Sequence, residues 1–156
     1  YFADGTQHLD YDTFQEHIAP STTSDFAFKG ALRDTARVVW RGMIRVEEGA
    51  QKTNAYQENR NLLLSREALV HSTPQLEILA DDVKCKHGST TGQLDANALF
   101  YLRSRGIGER EARSLLTWAF ASDLVRKLEI EPLRRSVGRH LQASLPGIAG
   151  LAEALP

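Results

Sequence analysis

The sequence predicts a mainly β protein that ends in α-helices. Two patterns support this: apolar and polar residues alternate over much of 1–93, and apolar residues recur at a helical period over 94–156. A chain of 156 residues is long enough to bury one hydrophobic core, with or without an appendage, so it can fold without a disulfide or a metal. We therefore divide the chain into a strand region, 1–93, and a helical region, 94–156.

The composition excludes several classes of protein. With 42% hydrophobic and 25% charged residues, the chain is typical of globular proteins and unlike disordered ones. Its net charge of -1 argues against nucleic acid as a partner. No apolar run approaches the roughly 20 residues that cross a bilayer, so no membrane partner is expected. Cys85 is the single cysteine, which excludes an internal disulfide and favours a reducing, cytoplasmic location.

Five runs of the first region predict strands. The alternation at 24–32 places two phenylalanines and a leucine on one side, and 36–46 repeats it with a tryptophan among aliphatic residues. The run at 62–64 is continuously apolar, as in a strand that is covered on both faces. Alternation resumes at 76–80 and 83–87. Short strands at intervals of about ten residues predict a sandwich, a barrel or a β-solenoid.

Turn-forming segments separate these runs. The acidic pair Asp81-Asp82 shifts the alternation by one residue and is interpreted as a turn or bulge. A polar connector contains Asn54, Asn59 and Asn61. Two interpretations are possible: a solenoid corner in which asparagines stack, or an ordinary loop. We favour the loop. The remaining turn signals are 20–23, Arg33-Asp34, Glu48-Gly49 and Gly88–Gly92.

The second region predicts three helices. Asp95 is a suitable N-cap for the first helix, and Gly106 is placed to end it. The second runs over about 108–128, with a 3.6-residue apolar stripe that includes Ala112, Leu115, Leu116, Ala119 and Phe120. The third carries Pro132 in its first turn, where proline is accepted, and a stripe of Leu133, Val137, Leu141 and Leu145.

Cys85 and His87 are the candidate site. Two positions apart on a strand, they share one face at a Cα separation of roughly 7 Å. A thiolate and an imidazole suit iron, zinc or copper(I), but two ligands are too few for a closed tetrahedral site. A metal or cluster would therefore need ligands from another chain or from small molecules. The alternative, which spacing alone favours, is that both are ordinary packed strand residues.

The other candidates are weaker. Gly88–Gly92 has small residues but lacks the lysine of a phosphate-binding loop. Arg37, Arg41 and Arg45 share one strand face, where a solvated edge is favoured over an anion-binding track. The other histidines have no comparable neighbour and are expected to be surface or structural residues: His8, His17, His71 and His140.

Essentially the whole chain resembles the SufB/SufD family of iron–sulfur cluster assembly proteins. The stretches that carry the resemblance are 22–30, 49–64, 75–78, 81–94 and 99–107, in the order and at the spacing of the family. The sequence is more similar to SufD than to SufB. Gly88 follows His87 where SufB-like proteins have a glutamate, and no cysteine precedes Cys85 where they carry one that receives sulfur.

The resemblance implies a right-handed parallel β-helix over 1–93 and an α-helical, ATPase-docking domain over 94–156. It implies a scaffold subunit rather than an enzyme, which pairs with a SufB-like subunit through the β-helix and docks a SufC-like ATPase through its helices. His87 would then lie near the SufB cysteine as a ligand of a nascent iron–sulfur cluster, with Cys85 as the other candidate ligand. Relatives have been found with a flavin, so the resemblance also allows a flavin cofactor, which the sequence does not decide.

Two further expectations concern the chain as a whole. It begins at Tyr1 and resembles a C-terminal fragment of longer relatives, so we expect an opened first coil that self-associates at a sheet edge. The alternative function is a β-helix enzyme that acts on polysaccharide, which needs grouped carboxylates in an exposed groove. Asp81-Asp82 is the one adjacent pair in a suitable position, and turnover of acidic glycans would identify such an enzyme.

Overall fold

A computed structural model describes residues 1–145 as seven strands followed by three helices. The strands are β1 (Phe2–Ala3), β2 (His8–His17), β3 (Thr23–Leu32), β4 (Arg37–Val46), β5 (Asn54–Leu63), β6 (Leu69–Ile78) and β7 (Lys84–Gln93). The helices are α1 (Ala96–Ser104), α2 (Glu109–Arg126) and α3 (Glu131–Ser144).

Consecutive strands alternate between two sheets. One sheet has the order β1-β3-β5-β7 and the other has the order β2-β4-β6. Within them, β2 pairs with β4, β4 with β6, and β3 with β5, all in parallel. Asn54 lies beside Thr23, 31 residues away, and Arg37 lies beside His8, 29 residues away. Each turn of about 30 residues thus adds one strand to each sheet, which confirms the solenoid and excludes the sandwich and the barrel.

The core of the solenoid lies between the inward faces of the two sheets. In β4 the side chains of Val38, Trp40, Ile44 and Val46 are all 0% exposed and alternate with residues that reach the surface. Phe28 stacks on the Trp40 ring at a centroid distance of 6.2 Å. Burial of each large apolar side chain contributes about 1.5–3 kcal/mol, so β4 supplies much of the stability of this unit.

The corners of successive turns are held together by backbone hydrogen bonds. Ser21 N–H donates to the Gln51 carbonyl at 2.8 Å, and Lys52 N–H donates to the Asp82 carbonyl at 2.6 Å. Ser21 (φ 60°) and Lys52 (φ 63°) both adopt the left-handed conformation that these tight corners require. Asp81 and Asp82 lie in the corner between β6 and β7, which confirms their interpretation as a turn.

Five strands depart from the sequence prediction. β1 and β2 were not predicted, and β6 begins at Leu69 rather than at 76. The favoured loop around Asn59 is the middle of β5, and the predicted turn at Gly88–Gly92 is part of β7. In β5 the inward positions carry Gln57, Asn59 and Asn61, which are buried despite their polarity. Side chains of β5 therefore alternate between buried and exposed positions, but apolar and polar residues do not alternate in its sequence.

The helices form a second compact unit that begins at Gln93. The Asp95 carboxylate accepts hydrogen bonds from the N–H groups of Asn97 and Ala98, which confirms it as the N-cap of α1. Gly106 has φ +85°, a left-handed conformation suited to ending that helix. No helix among the described residues is long and apolar enough to cross a membrane.

The faces of α2 and α3 differ from the predicted apolar stripes. On α2 the buried residues are small or hydroxylic, whereas Ala119 of the predicted stripe is exposed. On α3 the Leu133 side chain is 45% exposed and Val137 is 37% exposed, whereas Leu141 is half-buried and Leu145 is buried, so only the first half of that stripe is uncovered. The buried residues of α2 are Ala112, Ser114, Thr117 and Ser122. The end of the predicted helical region, 146–156, lies outside the described residues.

Candidate functional site

Strand β7 carries both residues of the candidate site at the edge of its sheet. It lies next to β5, and in the described part of the chain its other edge pairs with no strand. Lys84 N–H donates to the Thr53 carbonyl at 2.8 Å, which fixes the start of β7 beside β5. Cys85 and His87 follow on this strand with one residue between them, so they share the predicted face.

Cys85 is half-buried and packs against the apolar core. Burial raises the pKa of its thiol, and a backbone hydrogen bond with Ala55 offsets only part of this effect. The thiol is therefore protonated at neutral pH, and a metal that bound it would have to displace a proton. Its neighbours are a cluster of Ile44, Val46, Ala50, Ala55 and Ala80.

His87 has the opposite environment, because its side chain is exposed. The same face continues to Ser89, whose hydroxyl donates to Ser72 Oγ at 2.7 Å. Ser72 Oγ also accepts a hydrogen bond from Asn59 Nδ2 at 3.1 Å. His87 thus lies beside a hydrogen-bonded polar group that reaches from the surface into the solenoid.

The described residues do not complete a metal site around this pair. Within 1–145, no group of three or more histidine, cysteine, aspartate or glutamate side chains could hold a metal ion. An exposed imidazole on an edge strand can offer one nitrogen ligand to a metal held jointly with other molecules. The requirement for outside ligands therefore stays a prediction.

His17 is a buried polar residue whose surroundings the sequence analysis missed. It is 5% exposed, with Nδ1 at 2.6 Å from Thr22 Oγ1 and Nε2 at 2.9 Å from Ser24 Oγ. Ser24 Oγ also accepts from Gln15 Nε2 at 2.9 Å. Both ring nitrogens are thus occupied, so His17 is a structural residue. His17 is the last residue of β2, which was not predicted as a strand. The sequence analysis therefore could not predict that the His17 side chain points inward.

Two arginines on the outer face of β4 are engaged in ion pairs. Arg41 binds Asp10 at 2.9 Å and Asp12 at 2.8 Å, and Arg45 binds Glu47 at 2.6 Å. The hydrogen bond from Arg41 lowers the pKa of the Asp12 carboxyl. These contacts favour the solvated face over the anion-binding track, since an added anion would compete with carboxylates already bound.

Comparison with known proteins decides the family. The model described as "SUF system FeS cluster assembly, SufBD core domain" matches residues 1–120. The chain belongs to the SufBD family. The iron–sulfur cluster assembly protein SufD of Escherichia coli is 41% identical over 138 residues, which are 88% of this chain and 33% of that protein. SufD of Bacillus subtilis is 34% identical over 133 residues, which are 85% of this chain and 30% of that protein.

A third relative extends the match to another lineage. An iron–sulfur cluster assembly SufBD family protein of Mycobacterium leprae is 39% identical over 142 residues, which are 86% of this chain and 36% of that protein. The chain thus spans about one third of the length of these SufBD relatives. The predicted resemblance to the family is confirmed, and the likeness to SufD is supported by the names of two relatives.

The raised pKa of Cys85 predicts slow thiol chemistry. At pH 8 we expect its reaction with iodoacetamide to be slower than that of glutathione, because a smaller fraction of the thiol is ionised. The pH profile of the rate should be displaced to higher pH relative to the same chain unfolded in urea. Because folding raises this pKa, the thiol's contribution to stability is present below the unfolded pKa and is lost as pH rises through the folded one. Equal rates and profiles would contradict the burial of this side chain.

Proposed function

We propose that the chain acts as a non-enzymatic scaffold subunit of a cytoplasmic SufBCD-type assembly complex. Membership of the SufBD family supports a role in iron–sulfur cluster assembly. The observation that carries the finer proposal is the exposed His87 on the edge strand β7. The polysaccharide enzyme gains no comparable support, because Asp81 and Asp82 lie in a corner where Asp82 contributes backbone hydrogen bonds.

In this proposal β7 is where a SufB-like subunit binds. An edge strand presents N–H and C=O groups that can pair with a strand of another chain. Such pairing would bring the partner's ligands next to the His87 imidazole, which supplies one ligand of a nascent cluster carried as cargo. Cys85 is the second candidate ligand, and its thiol would lose a proton on binding iron.

The test is the replacement of His87 by alanine in the assembled complex. With SufB-like and SufC-like partners co-expressed, we expect the iron and sulfide recovered with the purified complex to fall by about tenfold, the scale of metal-site mutations. His71→Ala is the matched control, since His71 is an exposed histidine on β6. Wild-type iron and sulfide in the His87→Ala complex would refute the ligand role.

The helices are the proposed dock for the ATPase. Along α3 an open groove of about 570 Å³ is lined by Pro132, Arg135, Gly138, Arg139 and Gln142. The Glu131 carboxylate pairs with Arg134 and also with Arg135, whose Nε is 3.6 Å from Glu131 Oε1, and Arg134 further donates to the Leu128 carbonyl at 3.3 Å. The groove, with Arg135 and Arg139 exposed along it, suits a partner that offers acidic side chains.

Charge reversal in this groove should weaken ATPase binding. We expect Arg135→Glu combined with Arg139→Glu to lower the affinity measured by pull-down or calorimetry at least about tenfold, since like charges would then face each other. Arg110→Glu, on the exposed surface of α2, is the matched control. Undiminished binding by the double variant would exclude the α3 groove as the dock.

A further inference from the structure

The interior of the solenoid contains four buried polar atoms without a hydrogen-bond partner. They are Trp40 Nε1, Gln57 Oε1, Asn59 Oδ1 and Asn61 Nδ2. Trp40, Gln57 and Asn59 are 0% exposed and Asn61 is 3% exposed. A buried polar group without a partner costs free energy comparable to a lost hydrogen bond, so four in one region require an explanation.

The other polar atom of each amide is already engaged. Gln57 Nε2 donates to Gln15 Oε1 at 3.1 Å, and Asn59 Nδ2 donates to Ser72 Oγ at 3.1 Å. Asn61 Oδ1 accepts from the Tyr1 hydroxyl. The amide orientations are therefore fixed by existing bonds, and turning any one of them would exchange one unpartnered atom for another.

Three of the four unpartnered atoms follow one another along the inward side of β5. The three amides occupy alternate positions of β5, so they point into the solenoid in steps of roughly 6.6 Å. A Cβ built on Gly42 of β4 would lie 2.3 Å from Trp40 Cζ2 and 2.8 Å from Gln57 Nε2. The six-membered ring of the indole and the Gln57 amide therefore both lie close to Gly42, which places the Trp40 side chain beside the first amide of the row.

The chemistry of the set identifies the ligand. Two of the atoms are donors, Trp40 Nε1 and Asn61 Nδ2, and two are acceptors, Gln57 Oε1 and Asn59 Oδ1. All four belong to neutral groups, so an ion would find no opposite charge. Stacked rings occupy the neighbouring space, with Phe26 and Phe28 centroids 5.7 Å apart, which disfavours an organic molecule. Water both donates and accepts, and it fits this mixed set.

We propose that the solenoid interior between β4 and β5 is a binding site for ordered water. Water molecules along the row would supply the missing donors and acceptors, because a buried water makes about three hydrogen bonds. The site is independent of the cluster role of His87. Hydrogen bonds to internal water would explain how the buried asparagines of β5 can occupy core positions of a solenoid turn.

The test uses the unmodified 156-residue chain labelled with ¹⁵N. We expect the indole N–H of Trp40 to show nuclear Overhauser and rotating-frame cross-peaks to water of opposite sign, the signature of a long-lived bound water. The chain has two tryptophans, so a Trp118→Phe variant identifies the Trp40 resonance. Absence of these cross-peaks for Trp40 would overturn the proposal for the indole end of the site.

Oxygen-17 relaxation dispersion gives a count that does not depend on the indole. We expect Asn59→Leu to remove at least one long-lived water relative to the unmodified chain, whereas Asn54→Leu, at an exposed position of the same strand, should leave the count unchanged. Where Asn59→Leu fails to fold, the milder Gln57→Met serves the same comparison. A dry unmodified chain, or an equal water count in the folded core variant, would refute the hydration site.

Discussion

Replacement of Trp40 by alanine is expected to lower the free energy of unfolding by about 3–5 kcal/mol, the range for deletion of a large buried aromatic side chain. Trp40 is fully buried in β4, and its ring stacks on Phe28. Its removal would leave a cavity between the two sheets that surrounding strands cannot close without losing their register. Since domains of this size are stable by about 5–15 kcal/mol, the variant should be largely unfolded well below the melting temperature of the parent chain.

Urea denaturation followed by circular dichroism would measure this loss. Phe14→Ala is the matched control, because Phe14 is an aromatic residue of the adjacent strand β2 with its side chain 61% exposed. We expect that control to change the free energy of unfolding by less than about 0.5 kcal/mol, as is usual for surface positions. Similar losses for Trp40→Ala and Phe14→Ala would mean that the inward face of β4 has been assigned to the wrong side.

Gly42→Val is expected to destabilise the chain by about 1–3 kcal/mol through overpacking. Gly42 is an inward position of β4, and a Cβ there would lie 2.3 Å from the Trp40 ring and 2.8 Å from Gln57 Nε2. The ring is itself fully buried, so it cannot move aside without disturbing the aromatic stack. The absence of a side chain at Gly42 is thus part of the way in which Trp40 fits between the sheets.

Gly92→Val provides the comparison for this second prediction. Gly92 is also a strand glycine, but a Cβ there would meet no atom within 4 Å. Since valine favours strand conformation, this control should be neutral or slightly stabilising. The melting temperatures of Gly42→Val and Gly92→Val measure the difference, and we expect the lower value for Gly42→Val. A neutral Gly42→Val would show that the Trp40 ring has room to move.

Strands could be predicted where the inward face is apolar. In β4 the alternation of Val38, Trp40, Ile44 and Val46 is visible in the sequence, and the strand was found within one residue of its bounds. In β5 the inward positions of Gln57, Asn59 and Asn61 are polar, so the same backbone pattern reads as a loop. Their burial depends on hydrogen bonds to residues at least 13 positions away along the chain, which no local pattern contains.

The candidate site was predictable to a similar degree. The spacing of Cys85 and His87 was enough to place them on one strand face. Their contrasting environments were not predictable, because they depend on the folded neighbours: Cys85 packs against a cluster that includes Ile44 and Val46, whereas His87 is exposed. Likewise, the small residues of Gly88–Gly92 look like a turn and become strand only because β5 lies alongside.

The edge position of β7 has a consequence for the timing of assembly. In a stack of coils each rung is supported by the rungs on either side, so a terminal rung frays before interior ones. The strand that presents His87 has a described neighbour on one side alone. Under the proposed function, a partner strand that pairs with the free side of β7 would order the imidazole in the same event that supplies the remaining ligands. Ordering of β7 and completion of the set of cluster ligands would then occur in a single coupled step.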